Sequence, residues 1–132
     1  MRLNADCIRD ILIALESCEY NNTLSVDLLS ETLPQYAADE LQYNSLKLYE
    51  AKLIDAVCYT DQEYAVQRVH ELIDITYAGH QFLAKIRDDK RWGSVKRGLS
   101  AVRDYSLSAI TSIAEGVTSA AINAYFSGQI CL

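Results

Sequence analysis

Between Tyr36 and Asp89 a helical stretch ends in LYEAKLIDA, an alternating segment follows, and a second helical stretch begins within ITYAGHQFLAKIRDD. Helix, hairpin and helix in so short a span leave room for one small sheet packed on a helical cluster, because neither element buries its apolar face alone. This order restricts the chain to a mainly α fold with a small antiparallel β-hairpin.

The flanking segments extend the pattern. Ala5 to Ser17 carries Ile8, Ile11, Leu12 and Leu15 at helical spacing, with Asn4 as N-cap and Asp6 in the first turn, where a carboxylate suits the helix dipole. Asn21-Asn22 breaks the period, Thr23 to Ser25 reads as a short strand, and a brief second helix starts at Ser25 or Asp27 and holds Val26, Leu28 and Leu29. Pro34 ends it, since the residue before a proline is pushed out of the α region.

Tyr36 to Leu53 is predicted as the third helix, burying Leu41, Leu48, Ala37 and Ser45 and presenting Asp39, Tyr43, Lys47 and Glu50 on another face. Ile54 to Thr60 and Tyr64 to Ile75 read as strands about a polar tip, Asp61-Gln62-Glu63, with Val69, Glu71, Ile73 and Ile75 on one side. Thr76 is the expected N-cap of a fourth helix that turns Phe82, Leu83 and Ile86 inward and stops near Trp92-Gly93. A hinge is expected around Gly98. A fifth helix, Ser106 to Phe126, aligns Leu107, Ile110, Ile113, Ala114, Val117, Ala121 and Ala124 in one narrow stripe, a surface for packing or for a homodimer. Glu115, Asn123 and six Ser or Thr residues interrupt it, so it does not read as a membrane span of roughly 20 apolar residues. The order of helices, hairpin and helix is that of a winged helix-turn-helix over residues 1–91 with a C-terminal helical extension over 92–132.

Two stretches, YNSLKLYEAKLIDA at 43–56 and ITYAGHQFLAKIRDDKRWGSVKRGL at 75–99, resemble the YjcQ-like family catalogued as domain of unknown function 2513. The T-x-x-G-H-x-F-L and I-R-D-D elements carry the likeness. It implies a winged-helix fold with a helical extension, a phage or prophage setting, and no assigned activity. Where such proteins commonly read E-A-G-L-I, this chain has Lys52. A left-handed helix cap there costs Lys of order 1 kcal/mol more than Gly.

Charge decides between functions for such a scaffold. Lys85, Arg87, Lys90, Arg91, Lys96, Arg97 and Arg103 stand within nineteen residues against only Asp88 and Asp89, leaving five basic and sixteen acidic residues elsewhere. DNA binding rests on Lys and Arg neutralising phosphates. The third helix and the wing from Asp61 to Glu71 instead hold Asp39, Glu40, Glu50, Asp61, Glu63 and Glu71 against Lys47, Lys52 and Arg68. Gln42, Tyr43 and Asn44 can reach base edges but lack a phosphate anchor. The expected interaction face is therefore Asp39, Glu40, Gln42, Tyr43, Asn44, Lys47, Glu50, Tyr59, Asp61, Glu63 and Tyr64, directed at a protein, with an acidic surface suited to a nucleic-acid-binding host or defence enzyme. Tyr43, Tyr59 and Tyr64, among nine tyrosines, offer contact area with few torsions to freeze. The alternatives are a DNA-binding regulator, with the basic segment as cationic surface and Trp92 for stacking, and a self-assembling structural protein.

Nothing in the chain reads as a nucleophile elbow, phosphate loop or zinc motif, so the expectation is a non-enzymatic protein without catalytic, cofactor or metal residues. Cys7, Cys18, Cys58 and Cys131 are widely spaced and read as reduced thiols of a cytoplasmic protein. His80 is expected neutral and hydrogen-bonded to the hairpin or first helix, His70 at the surface, and Asp88-Asp89 as a helix cap with ion pairs.

Overall fold

A computed structural model describes residues 1–126, with side-chain surroundings given through residue 117. The order is α1 (Ala5–Glu16), β1 (Leu24–Ser25), α2 (Val26–Thr32), α3 (Ala38–Glu50), β2 (Ile54–Asp61), β3 (Val66–Ile75), α4 (Tyr77–Ile86), α5 (Asp89–Val102) and α6 (Leu107–Phe126). The protein is mainly helical, with one three-stranded antiparallel sheet in the order β1-β3-β2. The chain forms two compact units, Met1–Leu83 and Ala84–Leu132.

In the first unit, α1 begins where expected: the Asn4 side chain accepts a hydrogen bond from Cys7 N and Asp6 occupies the first turn. Its apolar stripe, Cys7, Ile8, Ile11, Leu12 and Leu15, is buried together with Leu29 of α2, Leu41 and Leu48 of α3, and Ile54, Val69, Leu72 and Ile75 of the sheet. Helix α2 starts at Ser25, whose Oγ accepts from Leu28 N. Helix α3 is shorter than predicted. Tyr36 stays in the turn after Pro34, with its amide bonded to Leu33 O, and Ala37 is an exposed N-cap rather than a core residue.

The other end of α3 shows why this chain needs its unusual residues. Lys52 N bonds to Tyr49 O and Leu53 N to Leu48 O, the paired bonds of a Schellman stop, and Lys52 takes the left-handed conformation at φ 63°. The turn has kept the geometry that glycine would favour. Thr76 then fastens it: its Oγ1 donates to Lys52 O at 2.7 Å, its amide donates to Leu53 O at 3.1 Å, and Oγ1 accepts from Gly79 N to cap α4. A Cβ on Gly79 would lie 2.0 Å from Leu53 O and 2.6 Å from Ile75 Cγ2, so only glycine fits. The T-x-x-G element is thus the clasp between the end of α3, the end of β3 and the start of α4.

Strand β3 departs from simple alternation. Its pairing with β2 skips one residue between Asp55/Ala56 and another between Val57/Cys58, so Ile73 and His70 are extra residues on the β3 side. Each bulge reverses the side-chain parity. Val69, Leu72 and Ile75, three apart, therefore face the core opposite Cys58, Ala56 and Ile54, and Ile73, predicted to lie with Val69, is exposed instead. The hairpin tip is a four-residue loop in which Asp61 Oδ1 accepts from Glu63 N and Tyr64 N, and Ala65 is left-handed at φ 54°.

The helix expected to reach Trp92-Gly93 ends at Ile86. A new helix, α5, starts because the Asp88 side chain accepts from Arg91 N, and it runs through both Gly93 and Gly98. Gly98 is not a hinge. A Cβ there would meet Ile113 Cγ2 of α6 at 2.8 Å, so glycine lets the two helices close. Trp92, Val95, Leu99, Ile110 and Ala114 are buried, and Lys85 pairs with Glu115 at 2.8 Å. Among the described residues, no helix is long and apolar enough to cross a membrane.

Three substitutions test this account by urea unfolding. Lys52→Gly is expected to stabilise by up to about 1 kcal/mol, less the added freedom of the unfolded chain. Gly79→Ala is expected to cost several kcal/mol, on the order of the largest single-site effects, because Leu53 backbone must move. Ser45 Oγ is buried without a hydrogen-bond partner among the described residues, so Ser45→Ala is expected to be neutral or stabilising by up to about 1 kcal/mol.

Candidate interaction face

Helix α3 and the β2–β3 hairpin share a groove of about 370 Å³ lined by Met1, Asp39, Gln42, Tyr43, Leu46, Val66, Gln67 and Arg68. What sets its shape is Gln42. Its Nε2 donates to Val69 O at 2.8 Å and its Oε1 accepts from Val69 N at 2.9 Å, so a side chain of α3 bonds to β3 as a neighbouring strand would. Gln42 is spent on this clamp and cannot read a base edge.

Asn44 is also removed from the expected face. It is fully buried, accepting from Asn4 N at 3.0 Å and donating to Glu40 O at 2.8 Å. Glu40 is half-buried and accepts from Asn4 Nδ2 at 2.8 Å. The residue that caps α1 is therefore held from both sides by α3. Sequence periodicity could not show this, because Asn44 lies one position from the apolar Ser45–Leu48 stripe and polar residues there read as solvent-facing.

The other residues of the expected face fall into smaller groups, of which Asp39 and Tyr43 line the groove with Arg68. Asp39 and Glu50 are exposed, and Lys47 Nζ donates to Glu50 Oε1 at 2.9 Å while lying 5.3 Å from the centroid of the Tyr43 ring. The bond to Glu50 raises the Lys47 pKa. Arg68 donates from Nε to Asp61 Oδ2 at 2.9 Å. That bond, with the amides of Tyr64 and Glu63, holds the Asp61 carboxyl below the usual carboxylate range. Tyr59 stands edge-on to His70, ring centroids 6.4 Å apart, and Glu63 and Tyr64 project from the tip. Lys47 and Arg68 are the only Lys or Arg in α3 and the hairpin, and each is already matched by a carboxylate of the same surface.

Residues 2–104 match the family described as "Hypothetical protein (DUF2513)". The chain belongs to this family. It is also 32% identical over 122 residues to an uncharacterized protein of Haemophilus influenzae, an alignment spanning 90% of this chain and 97% of that one. No solved structure matches. The family match includes α3, the hairpin and the Thr76–Gly79 clasp.

A second cleft in the first unit, about 430 Å³, is lined by Leu15, Glu16, Cys18, Glu19, Tyr20, Asn21, Asn22, Thr23, Ile73, Asp74 and His80. His80 is exposed at its edge and not buried in a structural bond, because the first turn of α4 turns Gly79, not His80, toward the sheet. Sequence reading missed this cleft, which exists only because the bulge turns Ile73 outward.

The basic segment lies in the second unit. Lys85 is taken by Glu115, Arg97 Nη2 donates to Ser94 Oγ at 3.0 Å, Arg91 is half-buried, and Arg87, Lys90, Lys96 and Arg103 are exposed. Trp92 is only 4% exposed and so is no stacking platform. Of the stripe on α6, Ile110 is buried, Leu107, Ile113 and Val117 are half-buried, and Ile113 sits over Gly98 of α5. The side chains of Ala121 and Ala124 lie outside the described residues.

No group of three His, Cys, Asp or Glu able to hold a metal occurs among the described residues. Cys7, Cys18 and Cys58 are free thiols, and Cys131 lies outside the described residues. Burial, with Glu40 and Asp10 nearby, pushes the Cys7 thiol up to about 12. Cys7 is therefore expected to resist alkylation at pH 8 until urea unfolds the protein, as read by peptide mapping. For Asp61 the folded pKa lies below the unfolded one, so its support of the tip is complete above the unfolded pKa and fades as pH falls through the folded value. Amide protection factors at Glu63 and Tyr64 are expected to fall over that acidic range, and to be low already at neutral pH in Asp61→Asn.

Proposed function

We propose that the first unit is a winged helix whose α3 and hairpin face binds a protein, and that the protein acts without catalysis. The α1-β1-α2-α3-β2-β3 order and the position of β1 beside β3 support the winged-helix reading. The single observation that carries the choice of partner is that Lys47 and Arg68 are each neutralised on the face itself. A phosphate backbone would have to displace Glu50 and Asp61 before gaining a cation. What the surface offers instead is Tyr43, Tyr59 and Tyr64 among carboxylates.

Charge extends the reading. The first unit holds fourteen acidic residues against five basic ones, a balance that suits a cationic protein surface such as that of a nucleic-acid-binding enzyme. In this reading the protein is a cytoplasmic accessory factor that occupies such an enzyme. The phage or prophage setting rests on the family resemblance.

Two measurements test the proposal. A gel shift against random duplex at low salt is expected to show no retardation; salt-sensitive retardation would establish the DNA-binding regulator instead. A protein captured from host cells by the intact chain is expected to be lost when Tyr43 and Tyr64 are both replaced by Ser, and its retention would reject this face as the contact surface.

A further inference from the structure

Of the sheet's two edge strands, β1 is two residues long and β2 is the long one, open on its outer side among the described residues. Strand β2 is eight residues long and pairs with β3 on one side, and no backbone bond reaches its outer edge among the described residues. Proteins usually protect such an edge with charged side chains, above all Lys, or with Pro, a bulge or a short strand, and the charges on β2 are Asp55 and Asp61. Here both bulges lie on β3, and β2, IDAVCYTD, has neither Pro nor Lys. On the solvent face Val57 is 43% exposed and Tyr59 48% exposed, with Asp55 beside them.

The charges on this edge choose its occupant. Asp55 lies directly opposite Asp74 in the β2–β3 register, and both are exposed. Like charges placed across strands repel. Asp74 Oδ1 accepts from Ile75 N, whereas Asp55 has no hydrogen-bond or ion-pair partner among the described residues. At the far end Asp61 is already matched by Arg68. The strand therefore offers unused backbone donors and acceptors, two apolar side chains, and an uncompensated pair of carboxylates. A second copy would bring another Asp55 to this acidic edge and be repelled.

We propose that the outer edge of β2 takes an extended, Lys- or Arg-bearing segment of the partner protein as a fourth strand. Main-chain bonds supply the pairing, one cation settles between Asp55 and Asp74, and apolar side chains of the segment lie on Val57 and Tyr59. This rests on the reading of the first unit as a protein-binding module and names the chemistry that it recognises.

The test uses the full chain and a capped eight-residue peptide alternating Lys and Val, with two controls: the same peptide N-methylated at alternate amides, which cannot pair as a strand, and its Glu–Val counterpart. The Lys–Val peptide is expected to bind at low salt and to slow amide exchange several-fold along Asp55–Thr60. Neither control is expected to bind. Asp55→Lys is expected to weaken binding about tenfold and Asp55→Asn less, as charge reversal and charge removal at one contact predict. No binding, equal binding by the N-methylated or acidic peptide, protection outside β2, or unchanged affinity in both Asp55 variants would overturn the proposal. Tyr43 and Tyr64 are untouched by these changes, so the edge can fail while the wider protein-binding reading stands, and the reverse.

Discussion

The first unit depends on a contact between two backbones at the end of α3. Gly79 rests against Leu53 O at a distance that no side chain permits, while Thr76 bonds to Lys52 O, Leu53 O and Gly79 N within four residues. Three elements that are far apart in sequence are fixed there: the stop of α3, the end of β3 and the start of α4. The left-handed Lys52 is the local strain that this junction tolerates, and the surrounding hydrogen bonds hold it in place.

From that junction the rest of the unit follows by packing. Once α3 stops at Ala51, β2 must leave in a set direction, and β3 returns with two extra residues. Those residues convert a period of two into a spacing of three, which lets Val69, Leu72 and Ile75 meet Ile54, Ala56 and Cys58. The outward consequence is equally important. Ile73 and Asp74 turn to solvent, creating both the acidic cleft beside α1 and the carboxylate pair on the open edge.

Much of this was legible in residues. Caps at Asn4, Thr76 and Asp88, the hairpin, and the helical stripes of α1 and α3 all follow from spacing and side-chain chemistry, whereas Lys52 in place of Gly marked the turn after α3 as unusual without fixing its geometry. The bulges were not legible, because an extra residue in a strand leaves no compositional mark and alternation placed Ile73 with the core. The break before Asp88 was missed because Asp88-Asp89 reads as a cap at the end of the fourth helix and not as the start of another. On the candidate face, charge was readable but commitment was not. Sequence shows that Gln42 and Asn44 are polar; only the fold shows that each is already bonded within the molecule.

The Gln42 clamp has one more implication. By bonding to both backbone groups of Val69, it locks the hairpin to the helix at the level of a single residue pair. A helix and a hairpin joined only by loops would pivot, and a visiting molecule touching both would have to freeze that swing. Here the angle between them is set in advance, so a partner that spanned the groove would lose little entropy to alignment and be discriminated by fit.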